Sequence, residues 1–148
     1  MAYEFKLTRT VEFSETDMAG IAHFSNFFRY MEAAEHAFFR SLGFSIHTTG
    51  FSYPIGWPRV HADCDFKHPL RFEDTVEIHL LVREKGERSI GYTVVFRKLN
   101  GGSPREVARG TLTVACVTRD KPGGAMRSVP IPAEIADKIE VAPEELLA

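Results

Sequence analysis

The chain has 148 residues, a formal net charge of −2 and two cysteines. This length suits a single domain, residues 1–148, with a core of its own. The nearly neutral charge gives no electrostatic basis for binding nucleic acid or an anionic membrane. No apolar run is long enough to span a bilayer, and the first ten residues lack the apolar run of a signal peptide. We therefore expect a cytoplasmic protein with reduced thiols.

The first half of the chain predicts one strand and one long helix. Apolar and polar residues alternate over positions 3–13, as in a half-buried strand, and a polar loop follows at 14–20. Ser25 or Asn26 can cap the helix, and Gly43 is placed to end it in the left-handed conformation. An apolar stripe at spacings of three and four predicts a broad packed face, formed by Phe27, Met31, Ala34, Phe38 and Leu42.

The second half of the chain predicts mainly strands. After a connection rich in glycine and proline at 44–57, alternating patterns predict strands at 60–66, 76–83, 90–96 and 105–118. Asn100-Gly101-Gly102 predicts a hairpin turn, and Pro132 a short helix over 132–140. One helix lying across a five-stranded antiparallel sheet would bury the apolar stripe, which is an α+β arrangement. The exposed edge of such a sheet invites pairing with a second copy.

The start of the long helix is the predicted site of chemistry. A helix N-terminus presents unpaired backbone N–H groups and a partial positive charge, which suit an anion or a developing oxyanion. Asp17 precedes this helix in a loop that turns at Gly20. A carboxylate that activates water and N–H groups that hold an oxyanion together suit attack on a carbonyl carbon.

The residues in this stretch resemble a known signature. Asp17-Met18-Ala19-Gly20-Ile21-Ala22-His23-Phe24-Ser25-Asn26-Phe27, followed by Tyr30 and Glu32, is similar to that of the hot-dog-fold acyl-coenzyme A thioesterases. The most similar branch includes 4-hydroxybenzoyl-coenzyme A thioesterase. The resemblance implies a hot-dog fold, in which a five-stranded antiparallel sheet wraps around one long central helix. It also implies a homodimer or a dimer-of-dimers tetramer, with active sites at the subunit interface.

The resemblance implies hydrolysis of an acyl-coenzyme A or acyl-carrier thioester with an aromatic or a short to medium acyl chain. It requires no metal or redox cofactor, and coenzyme A enters only as part of the substrate. Asp17 would act as general base or as nucleophile, and the backbone N–H of Phe24 would hold the oxyanion. Gly20 would admit the substrate carbonyl, and His23 would orient substrate or Asp17. Many relatives have an aromatic residue and then histidine where this chain has His23-Phe24.

Further residues are predicted to contact substrate. Arg88 and Ser89 match the family's stretch of a basic residue and then serine, which would hold coenzyme A phosphates, and Arg127 and Lys121 near the C-terminal loop are further candidates. Asn26 would anchor the loop by bonding to backbone. His61 and Asp63 lie on a strand that, in the family, borders the acyl pocket and the dimer seam, and they would support the site or select substrate. Aromatic residues would line the acyl pocket, and the candidates are Phe24, Phe27, Phe51, Tyr53 and Trp57.

Other interpretations of these residues remain open. His61, Asp63 and Asp65 share one strand face near His68, as metal ligands can, but without paired-histidine or cysteine spacing we expect no metal. Glu32 and Glu35 are expected on an exposed helix face. A hot-dog dehydratase or hydratase would act on 3-hydroxyacyl or enoyl thioesters and release no thiol. A non-catalytic domain would bind acyl thioesters without turnover.

Overall fold

The computed structural model of the chain describes residues 1–51 and 53–148. Five strands form one antiparallel sheet with the spatial order β1-β3-β4-β5-β2. Their bounds are β1 Glu4–Thr10, β2 Arg59–Phe66, β3 Thr75–Lys85, β4 Ser89–Lys98 and β5 Arg105–Ala115. The long helix α1, Ser25–Ser41, packs against the sheet and contacts β1, β2 and β3.

Four of the five residues of the predicted apolar stripe are buried, and the fifth, Leu42, caps the end of α1 and is half-buried. Phe27, Met31, Ala34 and Phe38 are each at most 4% exposed, and they join the side chains of the sheet in one core. Gly43 has a φ of 93°, and its N–H donates to the carbonyl of Arg40 at 3.0 Å. The helix therefore ends in the expected left-handed cap.

The start of α1 differs from the prediction. Phe24 occupies the N-cap position with helical φ and ψ, and its own side chain forms no capping hydrogen bond. Ser25 and Asn26 already belong to the first turn, so neither is the predicted cap. Instead, Nδ1 of His23, outside the helix, accepts a hydrogen bond from the backbone N–H of Ser25 at 3.3 Å.

The last predicted strand is broken at Cys116. β5 ends at Ala115, and the chain continues as β6, Val117–Arg119, which pairs with β7, Met126–Ser128, in a separate two-stranded sheet. The break occurs because the Cys116 N–H donates to the carbonyl of Arg88 and its carbonyl accepts from Val129. The predicted helix at 132–140 is the shorter α2, Ala133–Ala136, and a final turn, α3, spans Glu144–Leu147.

Strand β2 lies at one edge of the sheet and, among the described residues, pairs with β5 alone. Most of its residues are exposed, and Val60 keeps 62% of its surface exposed. Ala62 and Cys64 pair with Leu112 and Gly110. Within the described part of the chain, none of the helices combines the length and the apolar character that membrane crossing requires.

Gly110 allows α1 to approach the sheet closely. A Cβ atom at this position of β5 would overlap both the carbonyl oxygen of Asp63 and Cε of Met31. Met31 belongs to the buried stripe of α1, and Asp63 belongs to β2. The absence of a side chain at position 110 thus brings α1, β5 and β2 together at one point.

We expect the substitution Gly110→Ala to lower the free energy of unfolding by about 1–3 kcal/mol, because the added methyl overpacks this contact. Chemical denaturation monitored by circular dichroism measures the change. Gly56→Ala is the matched control, since its Cβ would lie 3.5 Å from Val117 Cγ2, an ordinary contact distance. Equal unfolding midpoints for both variants would contradict the packing argument.

Candidate active site

A small hairpin precedes α1, and we call its residues 15–23 the Asp17 loop. The N–H of Asp17 donates to the carbonyl of Ile21 at 2.9 Å, and the N–H of His23 donates to the carbonyl of Glu15 at 2.8 Å. The turn closes through a 2.9 Å bond from the Gly20 N–H to the carbonyl of Asp17. Gly20 has a φ of 79°, a conformation that favours glycine. Local hydrogen bonds thus define the shape of the loop.

The carboxylate of Asp17 is half-buried and has one oxygen available for chemistry. Its Oδ1 accepts a hydrogen bond from the backbone N–H of Ala19 at 2.9 Å. Among the described residues, none donates a hydrogen bond to its Oδ2. The first contact fixes the orientation of the carboxylate, and the second oxygen remains free to accept a proton.

The backbone N–H of Phe24 is a free donor at the start of α1. The N–H groups of Asn26 and Phe27 turn back to the carbonyls of His23 and Phe24, at 2.9 and 3.1 Å. Within residues 1–51 and 53–148, the N–H of Phe24 has no hydrogen-bond acceptor. The helix dipole adds a partial positive charge at this position. The group is therefore suited to hold an oxyanion.

Asp17 and Phe24 border one cavity of about 410 Å³, which we call the aromatic cleft. The Phe66 ring meets the rings of Phe27 and Phe24 edge to face, with centroid distances of 5.1 and 6.4 Å. The Ala22 N–H donates to the carbonyl of Leu70 at 2.7 Å, tying the loop to the opposite wall. The cleft thus combines a carboxylate, a free N–H donor and aromatic surface.

A larger cavity, of about 570 Å³, lies near the first residues of β2. Its walls include His47, Trp57, Lys121 and Met126. It borders neither Asp17 nor the start of α1, so its size does not make it the better candidate for carbonyl chemistry.

Comparison with known proteins shows to which family the chain belongs. The model of the thioesterase-like superfamily matches residues 11–139. The chain belongs to the thioesterase-like superfamily. A putative esterase of Aquifex aeolicus (strain VF5) is 36% identical over 98 residues, which are 64% of this chain and 73% of that protein.

Two further thioesterases resemble the chain over most of its length. A 1,4-dihydroxy-2-naphthoyl-CoA hydrolase of Acaryochloris marina (strain MBIC 11017) is 28% identical over 136 residues, covering 90% of this chain and 93% of that protein. The solved structure of a gentisyl-coenzyme A thioesterase has a TM-score of 0.73 and 29% identity, covering 89% of this chain and 99% of that one. The predicted family, hot-dog fold and class of thioester hydrolase are confirmed.

In this thioesterase-like chain, His23 lies outside the aromatic cleft. Its ring is exposed and stacks on Phe24 at a centroid distance of 4.6 Å, and its Nδ1 lies 2.8 Å from Ser25 Oγ. Asn26 is buried, and its amide donates to the carbonyls of Glu15 and His23 at 2.8 and 3.2 Å. These bonds to backbone are the loop-anchoring contacts expected of Asn26 from the sequence.

His61 and Asp63 contact each other instead of the cleft. His61 Nε2 lies 2.7 Å from Asp63 Oδ2, and Asp63 also accepts hydrogen bonds from the side-chain hydroxyl and backbone N–H of Thr111. The bonds from His61 and Thr111 hold the pKa of Asp63 below its usual value. No group of three metal-ligating side chains occurs in the ranges 1–51 and 53–148.

The predicted phosphate-binding residues lie at the other end of the sheet. Ser89, which directly follows Arg88, is the first residue of β4, whereas Phe96, which packs on Phe27 of the cleft, lies near the far end of the strand. Ser89 and Phe96 are seven positions apart along the strand, or about 23 Å. Arg88 donates to the carbonyl of Ser128 at 2.9 Å, and the neighbouring Arg127 binds Asp120 at 3.0 Å. In one copy of the chain, these cations therefore do not border the cleft.

Sequence reasoning missed two polar residues of the cleft, Lys67 and His68. Lys67 forms an ion pair with Glu106, and the guanidinium of Arg105 donates to His68 at 2.8 Å. His68 was weighed only as a metal ligand. The signal that could have found them is their position directly after Phe66, at the end of the strand expected to border the acyl group.

Glu35 is buried, so the expectation of an exposed helix face is wrong for this residue. Its side chain is 0% exposed and forms an ion pair with Arg59, the first residue of β2. Burial raises the pKa of Glu35 to about 7, although Arg59 opposes the shift. Glu35 does not border the aromatic cleft. Glu32 remains exposed, 3.6 Å from the same guanidinium.

Because the pKa of Glu35 is higher in the folded than in the unfolded protein, the folded state binds its proton more tightly. The contribution of Glu35 to the free energy of unfolding is largest below pH 4.5, the pKa of an unperturbed glutamate, and is lost as pH rises through about 7. This pKa shift corresponds to a decrease of about 3 kcal/mol in the free energy of unfolding across that pH range. We expect Glu35→Gln to remove this decline in stability between pH 4.5 and 7.

Melting temperatures measured across this pH range test the expectation. Glu32→Gln is the matched control, since it also removes a carboxylate facing Arg59 but leaves the buried one in place. Parallel pH profiles for wild type and Glu35→Gln would contradict the assignment.

Proposed function

We propose that the chain hydrolyses the thioester bond of an acyl-coenzyme A whose acyl group is aromatic. The observation that carries this proposal is that the free Oδ2 of Asp17 and the free N–H of Phe24 belong to residues of one cleft. A base and an oxyanion donor are the two groups that attack on a thioester carbonyl requires.

The proposed reaction starts with the carbonyl oxygen bound to the N–H of Phe24. Asp17 accepts a proton from a water molecule, whose oxygen forms a bond to the carbonyl carbon. The resulting oxyanion is held at the N-terminus of α1. The carbon–sulfur bond then breaks, and the proton held by Asp17 passes to the departing thiolate. No metal or redox cofactor takes part, and coenzyme A is only the thiol portion of the substrate.

The walls of the cleft support an aromatic acyl group. Phe27 is buried at its base, and Phe24 and Phe66 expose 59% and 49% of their surfaces beside it. A planar ring can pack edge to face against such side chains. The named substrates of two relatives, 1,4-dihydroxy-2-naphthoyl-CoA and gentisyl-coenzyme A, also carry aromatic acyl groups.

We also propose that the active unit is a dimer joined along β2. This strand has a free edge, and an antiparallel pair of β2 strands would continue the sheet across two copies. Such pairing would bring the start of β2 in one copy beside its end in the other. The end that carries Arg88 and Arg127 would then lie nearer the cleft of the second copy, where the phosphates of coenzyme A require cations.

We expect Asp17→Asn to lower kcat by about 10²–10⁴, because the amide cannot accept the proton from water. Thiol release from benzoyl-, 4-hydroxybenzoyl-, hexanoyl- and palmitoyl-coenzyme A is followed with a chromogenic thiol reagent. Asp137→Asn, an exposed position beyond the C-terminal end of α1, is the matched control and should retain wild-type kcat.

The outcomes separate the alternatives. Faster turnover of the two aromatic substrates supports the proposed acyl class, and a preference for the alkyl chains overturns it. Full activity in Asp17→Asn excludes Asp17 as the base. No thiol release from any of the four substrates would overturn the proposed hydrolysis.

For the dimer, we expect Val60→Asp to shift the protein toward the 16.7 kDa monomer, because pairing would desolvate the new carboxylate on the β2 edge. Sedimentation velocity measures the change. Val141→Asp is the matched control, because Val141 has 47% of its surface exposed and lies outside the strands. A monomeric wild type, or a folded Val60→Asp variant of unchanged size, would overturn the dimer.

A further inference from the structure

Glu15 connects the Asp17 loop to the helix through both its side chain and its backbone. Its Oε1 accepts hydrogen bonds from the hydroxyl of Tyr30 and from the backbone N–H of Glu12, each at 2.8 Å. Its carbonyl accepts from the N–H of His23 and from the amide of Asn26, also at 2.8 Å. Four donors from separate positions along the chain therefore converge on one residue.

The position of Glu15 in the loop gives these bonds a consequence for the site. Asp17 follows Glu15 by two residues, and Phe24 directly follows His23. The Glu15–His23 pair is thus the point from which the carboxylate on one side and the N–H donor on the other both extend. A shift of this pair relative to α1 would change the distance between the base and the oxyanion donor.

The Tyr30 side chain is held in a fixed position by its packing in the core beneath α1. Its side chain is 1% exposed, and its ring packs edge to face on Phe27 with a centroid distance of 6.1 Å. The guanidinium carbon of Arg9 lies 5.7 Å from the centre of the same ring. The hydroxyl therefore reaches Glu15 from a fixed position, and its bond to a carboxylate is of the stronger, charge-assisted kind.

We propose that Tyr30 is a positioning residue for the hydrolysis, acting through Glu15 to hold Asp17 and the N–H of Phe24 at their working separation. This inference rests on the proposed function, since it assigns no chemistry to Tyr30 itself. Burial, followed by the bond to Glu15, raises the pKa of Tyr30 well above its ordinary value. The hydroxyl consequently stays protonated and remains a donor at neutral and moderately alkaline pH.

The test removes only the hydroxyl, with Tyr30→Phe, and measures kcat and KM on 4-hydroxybenzoyl-coenzyme A and benzoyl-coenzyme A. We expect kcat to fall about tenfold or more with KM changed less than about twofold, because misplaced groups slow the chemical step. Tyr92→Phe is the matched control. Tyr92 is also fully buried, but its hydroxyl has no hydrogen-bond partner in the described part of the chain.

Variants of Glu15 separate positioning from general stability. Glu15→Gln keeps an oxygen acceptor for Tyr30 and should retain most of kcat, whereas Glu15→Ala should reproduce the loss in Tyr30→Phe. The double variant Tyr30→Phe/Glu15→Ala should be no slower than Glu15→Ala alone, because both changes break the same bond. Melting temperatures show whether a loss of kcat merely follows a loss of fold.

The outcomes distinguish this inference from the function on which it rests. Wild-type kcat in Tyr30→Phe, together with an inactive Asp17→Asn, overturns the positioning role and leaves the proposed hydrolysis intact. Full activity in Asp17→Asn would instead overturn the proposed role of Asp17 in hydrolysis, whatever the result for Tyr30→Phe. A double variant whose losses multiply, or a Tyr92→Phe variant as slow as Tyr30→Phe, also overturns the role of Tyr30.

Discussion

The packing of α1 against the sheet is the contact on which the rest of the structure depends. Its buried face joins the strands in one core, and Gly110 lets Met31 approach β5 without a side chain between them. In proteins, most of the stability of a helix comes from such packing of its apolar face and less from the intrinsic helix propensity of its residues. The position of the helix N-terminus is therefore fixed by the core.

The Asp17 loop, which precedes α1, is held in place by two separate sets of interactions. Its tip is set by backbone geometry at Gly20, whereas its base is bound to α1 through Glu15. The free carboxylate oxygen of Asp17 and the free N–H of Phe24 occur between these constraints. Polar groups left without partners in an otherwise bonded loop are expected where a substrate supplies the missing contacts.

Local patterns predicted the elements, and a family resemblance identified the loop. The stripe from Phe27 to Phe38 and the cap at Gly43 depend on residues close in sequence, so they could be predicted. Lys67 and His68 border the cleft beside the point where the Ala22 N–H donates to the carbonyl of Leu70, 48 positions along the chain. The burial of Glu35 depends likewise on Arg59, 24 residues away. Periodicity within one element carries no information on such distant partners, which is why these features could not be predicted.

The edge strand β2 connects these distant features. Arg59 at its start is paired with the buried Glu35, and Phe66 at its end forms a wall of the aromatic cleft. One side of β2 is bonded to β5, and none of the residues in 1–51 and 53–148 pairs with its other edge. A strand held so firmly on one side presents a preformed template on the other, because its backbone is already extended. Under the proposed dimer, the interactions that fix the cleft wall would also prepare the surface on which the second copy pairs.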